Sequence, residues 1–225
     1  MPLFKTKNEL FFNSWSSQMA YVLGFFAADG SMYLNPRGSH YLSFLSNDYE
    51  ILEKIRFFLS SNHKIGERRI SKSSSNLRYT LQIGSKRMYL SLLKLGLTSN
   101  KSKTLKFPHI PIPYLRDFVR GYFDGDGNVL FKNYFRKDRN RYKYYFATKF
   151  ICGSDKFLQD LRIKLTRHAG MGKGSLYQGD RSHVLSYALN DTKKLFWFMY
   201  NNVSNSLYLE RKYGIFSHAI NILER

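Results

Sequence analysis

Two aspartates, Asp29 and Asp126, stand 97 residues apart at the ends of two copies of one pattern. The first copy reads Val22-Leu23-Gly24-Phe25-Phe26-Ala27-Ala28-Asp29-Gly30 and the second Val119-Arg120-Gly121-Tyr122-Phe123-Asp124-Gly125-Asp126-Gly127. Each is an apolar helical run with glycine in third place and Asp-Gly at its end. A carboxylate near a helix C-terminus opposes the helix dipole by about 0.3–1 kcal/mol, so a sequence shaped for stability alone would place Lys or Asn there. Two such carboxylates point to chemistry. If the two helices pack side by side, the carboxylates converge, and bare they would repel and raise one pKa. Divalent cations relieve that repulsion. Hard oxygen donors, completed by phosphate oxygens and water, suit Mg²⁺, and the chemistry such a pair supports is metal-assisted phosphodiester hydrolysis. Gly24 and Gly121 fit the same arrangement. A glycine inside a helix costs about 1 kcal/mol against alanine, a loss that close approach of two helix backbones would offset. The glycines after the aspartates read as left-handed helix stops.

Stepping outward from the motifs, each half repeats one order of elements. After the first motif, Ser31–Pro36 and Ser39–Ser46 read as a hairpin turning near Asn35-Pro36-Arg37-Gly38. Asp48 is placed to cap a helix bearing Ile51, Leu52, Ile55 and Leu59. A second hairpin follows, with Arg78, Thr80 and Gln82 alternating against Tyr79, Leu81 and Ile83. A short helix carrying Met88, Leu92, Leu93 and Leu95 ends at Gly96. In the second half Leu158, Leu161 and Leu165 repeat Leu52, Ile55 and Leu59 at an offset of 106, and Tyr187 and Leu189 are aligned with Tyr79 and Leu81 at 108. The excess over 97 predicts roughly ten residues inserted in the second half's first hairpin, at the basic loop Arg136–Arg141. Phe107-Pro108-His109-Ile110-Pro111-Ile112-Pro113 reads as a semi-rigid connector, with Pro113 in the first turn of the second motif helix. The expected architecture is α+β: two pseudo-symmetric α-β-β-α-β-β-α halves, residues 1–106 and 114–225, joined by 107–113. Their saddle-shaped antiparallel sheets are expected to pack through the motif helices, and Tyr208–Leu223 reads as a closing helix.

The formal net charge of +20 over 225 residues implies a polyanionic partner, nucleic acid before membrane. The longest clean apolar stretch, Tyr21 to Ala28, is too short to span a bilayer. An antiparallel sheet packed on one side leaves its other face free for a ligand. On that face the alternation places Arg37, His40, Arg68, Lys72, Arg78, Thr80 and Gln82 in the first half. In the second it places Lys132, Arg139, Arg141, Lys143, Tyr177, Gln178, Arg181 and His183. These residue types reach phosphates and base edges, and a two-stranded ribbon can enter a major groove. A solvated polar face is the alternative for any one of them; the scarcity of acids on these strands argues against it for the set.

The paired motifs resemble the LAGLIDADG family of homing endonucleases, most closely from Asp117 to Gly127, and the resemblance extends from about Ser14 to the last helix. It implies a monomer of the two-motif type that cuts both strands of a long, asymmetric duplex DNA target across a minor groove, as in intron homing. Metal ligands would be Asp29 and Asp126, with Ala28 and Gly125 beside them. The cofactor would be Mg²⁺, with Mn²⁺ able to substitute and Ca²⁺ binding without supporting cleavage. Lys101 and Lys103 in Asn100-Lys101-Ser102-Lys103 resemble the segment carrying an active-site lysine, and Lys212 holds the corresponding place in the second half. These three are the candidate catalytic lysines, and ordinary phosphate contact is the alternative role for each. The first motif departs from the pattern at Ala27, where the family has its first acid. Ser46-Asn47 and Gly153-Ser154 stand where the family places polar residues at strand ends.

Other readings are weaker. The single Cys152 excludes an intramolecular disulfide and a multi-cysteine zinc site and reads as a buried thiol. His40, His63, His109, His168, His183 and His218 show no metal-binding spacing. Asp124, Asp126 and Asn128 mimic the start of an EF-hand loop, but Val129 and Phe135 replace its glycine and glutamate. Gly170–Ser175 lacks the spacing of a phosphate-binding loop and reads as a turn. No secretory signal is read at the N-terminus, so a reducing compartment is expected: cytoplasm or nucleoid, or an organelle matrix. A non-cleaving nucleic-acid binder of the same fold, a splicing maturase or a transcription regulator, is the competing function. A basic structural protein of ribosomal type accounts for the charge alone.

Overall fold

The computed structural model describes residues 5–69, 77–203 and 207–224. The chain divides into two compact units, one of Met1–Lys101 with Pro108–Gly125, the other of Ser102–Phe107 with Asp126–Arg225. The boundary of compaction therefore differs from that of the sequence repeat, because the second motif helix packs with the first unit.

In the first unit α1 (Ser17–Asp29) leads into β1 (Gly30–Leu34) and β2 (His40–Ser46), then α2 (Tyr49–Phe58), β3 (Ile65–Arg69), β4 (Leu77–Gly84) and α3 (Lys86–Lys94). The antiparallel sheet has the order β1-β2-β4-β3. Ser16 caps α1, its hydroxyl accepting from the Met19 amide at 3.0 Å, and Ser85 caps α3 through the Met88 amide at 3.2 Å. The first hairpin turns where expected. Asn35 Oδ1 accepts from the amides of Arg37 and Ser39, and Gly38 takes φ +79°, which favours glycine. Ile51, Leu52, Ile55 and Leu59 are buried beneath the sheet with Leu42, Phe44, Leu81 and Ile83.

The second motif helix, α4 (Leu115–Asp126), follows a 3-10 turn at Ile112–Tyr114, so Pro113 sits in that turn and not in the helix proper. In the second unit β5 (Gly127–Arg136), β6 (Arg141–Cys152), α5 (Asp155–Ala169), β7 (Ser175–Gln178), β8 (His183–Ala188) and α6 (Leu189–Tyr200) repeat the first order, in a sheet β5-β6-β8-β7. Among the described residues the closing helix α7 (Glu210–Leu223) has no counterpart in the first half. The repeat is α+β, two antiparallel four-stranded sheets in two like halves.

Two sequence expectations need correction. The inserted residues lengthen strands instead of forming a loop. β5 and β6 have 10 and 12 residues against 5 and 7 in β1 and β2, pair out to Arg136–Arg141, and turn through Lys137–Asn140. The offset of 108 is also a slip. Phe44 pairs with Gly30 and Leu81, and Phe150 with Gly127 and Leu185, so Leu185 is the counterpart of Leu81 and Leu189 belongs to α6. A slip of four keeps the in-out alternation of a strand intact, so the pattern does not expose it.

Candidate active site and nucleic-acid interface

The two motif helices meet through their glycines. A Cβ on Gly24 would lie 2.1 Å from the Phe118 carbonyl oxygen, and one on Gly121 would lie 2.0 Å from that of Tyr21. No side chain fits either place, which explains both interior glycines. At the C-terminal end the approach persists: a Cβ on Gly125 would fall 2.4 Å from Ala28 Cβ and 3.3 Å from Asp29 Oδ2. Gly125 thus lies against Asp29, and Asp126 is the next residue along the chain. Gly30 is not a left-handed stop. Its φ of −92° and ψ of 154° are extended, and it opens β1; what demands glycine is Phe26, whose ring would touch a Cβ at 2.3 Å.

Polar groups between α1 and α4 are concentrated on α4. The Tyr21 hydroxyl donates to Asp124 Oδ2 at 2.7 Å, and Arg120 pairs with Asp117 at 2.7 Å while its guanidinium lies 5.5 Å from the Tyr21 ring centroid. All four side chains are buried. The positions related to them by the 97-residue offset hold Phe118, Ala27, Leu23 and Ala20. Ala27 is therefore not an isolated loss. Where the first motif lacks its acid, the facing helix lacks the hydroxyl.

Two lysines reach the helix ends in the same way. Lys101, in a 3-10 turn after α3, donates to the carbonyl oxygen of Gly30, the residue after Asp29. Lys212, in the first turn of α7, donates at 2.6 Å to the carbonyl oxygen of Gly127, the residue after Asp126. Both are buried, at 7% and 5% exposure, so each brings an ammonium into a poorly hydrated place. Lys103 is exposed, and its backbone passes beside Gly153. Of the two candidate lysines in this segment, Lys101 stands at a motif end and Lys103 does not. Ser46 and Ser154 are used locally, Ser46 accepting from the Asp48 amide and Ser154 capping α5 through the Phe157 amide. Cys152 is a buried thiol.

Among the described residues no group of three or more His, Cys, Asp or Glu side chains gathers as a ligand set. Each motif offers one carboxylate at a strand-opening turn, with backbone carbonyls beside it. That donor set fits a hard divalent ion that takes its remaining ligands from phosphate and water.

On the first sheet the register gives Tyr33, Tyr41, Ser43, Thr80, Gln82, Arg68 and Arg78 one face, while Leu42, Phe44, Leu81 and Ile83 take the helix side. Gln82 Nε2 donates to the Tyr33 hydroxyl there. On the second sheet the open face carries Asn128, Lys132, Tyr134, Lys143, Tyr145, Lys149, Tyr177 and Ser186. Arg141 continues that face, opposite Arg136; Arg37, Arg139 and Arg181 lie in connecting turns. Lys72 lies outside the described residues. Three assignments fail. His40 shares the helix side with Leu42, and its ring lies 4.8 Å from that of Tyr89. Gln178 pairs with His183, and His183 with Cys152, on the helix side, where His183 lies 3.7 Å from Asp155. Residue type suggested these three, but strand parity decides the face. The same parity would have found Lys149, flanked along β6 by the buried Thr148 and Phe150.

Residues 16–96 match the family model described as a LAGLIDADG-like domain. The whole chain has the LAGLIDADG fold. It is similar to the I-LtrWI LAGLIDADG homing endonuclease bound to target DNA, at 13% identity and a TM-score of 0.59 over 96% of this chain and 92% of that one. It is also similar to the I-SmaMI LAGLIDADG homing endonuclease bound to cleaved DNA, at 14% and 0.62 over 93% and 89%. For the I-AabMI LAGLIDADG meganuclease bound to uncleaved DNA the figures are 12% and 0.60 over 93% and 92%. Another I-SmaMI structure holds an uncleaved DNA target in the presence of calcium ions. No curated protein sequence matches the chain. Among the described residues no helix is long and apolar enough to cross a membrane.

Proposed function

We propose that this LAGLIDADG chain is a monomeric, site-specific endonuclease that cuts both strands of a duplex DNA target, inside a cell and in the service of intron homing. The observation that carries the reading is the repeated motif end: a carboxylate, then glycine, with a buried lysine on that glycine's carbonyl, once at Asp29 and once at Asp126. A fold needs neither a carboxylate against the helix dipole nor a buried ammonium, and it has both twice. The solved relatives that hold DNA support the same reading.

Asp29 and Asp126 would each hold a divalent cation, with the backbone at Ala28 and Gly125 beside them. Mg²⁺ is the natural ion, Mn²⁺ its substitute, and Ca²⁺ a ligand that does not support cleavage. When bound, the ion supplies positive charge that acidifies a nearby water and offsets the charge on a phosphate. Lys101 and Lys212 would add a fixed positive charge at each strand's phosphate, where their low exposure strengthens its effect. The open sheet faces would grip the duplex, with Lys132, Lys143 and Lys149 on phosphates and Gln82, Arg78 and Asn128 within reach of base edges. Ala27 favours one alternative, a non-cleaving binder of the same fold acting as a splicing maturase or regulator.

The test is cleavage of a duplex selected by binding from a randomised pool, with Mg²⁺ and then with Ca²⁺. Double-strand cuts in Mg²⁺ only, abolished in Asp29→Asn/Asp126→Asn while binding persists, are expected. Tight selective binding with no cut under any divalent ion would move the assignment to the non-cleaving binder.

A further inference from the structure

We propose that the outer face of α5 carries a second nucleic-acid site, for a single-stranded chain, separate from the open sheet faces. A groove of about 480 Å³ lies there, lined by Arg162, Ile163, Thr166, Arg167 and Lys173. Its size is that of a ligand site. The inward face of α5 is Phe157, Leu158, Leu161 and Leu165, so four of the five lining residues stand on the side turned from the core. The fifth comes from the turn Gly170–Gly174, and that turn is tied down. The Gly172 amide donates to Asp191 Oδ1 at 3.0 Å, Lys194 donates to the Gly170 carbonyl at 2.7 Å, and Thr166 Oγ1 donates to the Gly172 carbonyl at 3.4 Å. Lys173 is thereby held over the helix.

Charge gives the ligand class. No acid lines the groove, and among the described residues none of its three cations is in an ion pair. Several helix cations elsewhere do have such partners: Lys54 with Glu50, Arg56 with Glu53, and Lys156 with Asp160. Three uncompensated cations around one concavity repel each other, and a chain of phosphates relieves that. Between them sit Ile163, 52% exposed, and Thr166. A duplex would offer these two only backbone, its bases being stacked inside. A single strand can lay an unstacked base on Ile163 and bring its 5′ and 3′ phosphates to the flanking cations. Because α5 covers the helix side of its sheet, a duplex on the open face leaves this groove accessible.

The experiment measures fluorescence anisotropy of short labelled oligonucleotides of mixed sequence, one RNA and one DNA, on the full chain saturated with unlabelled duplex. The parent should bind at least one of them. Arg162→Gln/Arg167→Gln/Lys173→Gln should weaken that binding about tenfold or more and flatten the log–log salt slope by about 2, three phosphates at roughly 0.7 each. Its duplex affinity and circular dichroism should match the parent. If the triple variant misfolds, Arg167→Gln and Lys173→Gln, both at exposed positions, give the same readout in smaller steps. Preference for RNA over DNA would add that a 2′-hydroxyl is read. Absence of single-strand binding, an unaffected triple variant, equal loss of duplex binding, or displacement by polyglutamate as effective as by oligonucleotide would each overturn the proposal.

Discussion

The hydroxyl of Tyr21 on α1 donates to Asp124 Oδ2 on α4 at 2.7 Å, and the residues at the mirrored positions are Phe118 and Ala27. One side of the motif-helix pair is held by a buried hydrogen bond to a carboxylate, the other is built from apolar groups. Tyr21→Phe removes a buried donor and should destabilise by about 1–3 kcal/mol. Tyr21→Phe/Asp124→Ala makes both sides apolar and should recover part of that loss. Urea denaturation of the parent, Tyr21→Phe, Asp124→Ala and the double variant measures it; a double variant as unstable as the sum of its parts would show no coupling.

The glycines test the helix contact more severely. Gly121→Ala places a methyl 2.0 Å from a backbone oxygen, so the helices must separate. A loss of about 1–3 kcal/mol or more is expected, whereas Gly96→Ala, with open space around it but φ +88°, should cost less. Equal losses would mean that the helices yield freely.

On the proposed function, Lys101→Met and Lys212→Met should each depress cleavage by orders of magnitude while leaving duplex affinity within a few-fold, since both ammonium groups are buried at the motif ends. Nicked product would accumulate if each serves one strand. Lys103→Met should cut nearly as the parent does. The reverse ranking would return the choice between Lys101 and Lys103 to the exposed residue.

Duplex binding should fall steeply with salt, a log–log slope near −9 if about ten phosphates are neutralised, and Lys149→Gln should flatten it by about 1. A slope unchanged by Lys149→Gln would remove the centre of β6 from the interface.

His63 gives a pH dependence of stability. Burial, with Lys7 and Lys5 adding positive charge, lowers its pKa from the ordinary 6.5. Below about 6.5 the unfolded chain therefore binds a proton that the folded protein resists, so stability is complete above that pH and falls as pH drops through the window beneath it. His63→Asn should flatten the slope of unfolding free energy in the window below about pH 6.5; an unaltered slope would assign it to other groups.

Much of this was legible in the chain itself. The glycine spacing within each motif foretold the helix contact, and Leu52, Ile55 and Leu59 with their repeats foretold which helix faces are buried. Where sequence and structure differ on the sheets, residue type and strand parity point to opposite faces. The residue types of His40, Gln178 and His183 suit DNA, but His40 alternates in step with the apolar Leu42 and Phe44. Lys149, which the residue-type reading does not include, alternates with the buried Thr148 and Phe150 and so takes the open face. Which of Lys101 and Lys103 is buried at the motif end has no local signature, since the turn that buries one and exposes the other is set by tertiary packing. The Tyr21–Asp124 bond crosses 103 residues and has no local signature.

The division of the chain also bears on its synthesis. Every residue of α1 from Met19 to Ala27 is buried, and α4, which covers part of that surface, begins only at Leu115. At about 5–20 residues per second, a nascent α1 would wait several seconds or more on the ribosome before its partner helix is made. During that interval the most apolar segment of the chain stands without its final cover, so the first half is the stage at which self-association competes with folding and at which holdase chaperones would act.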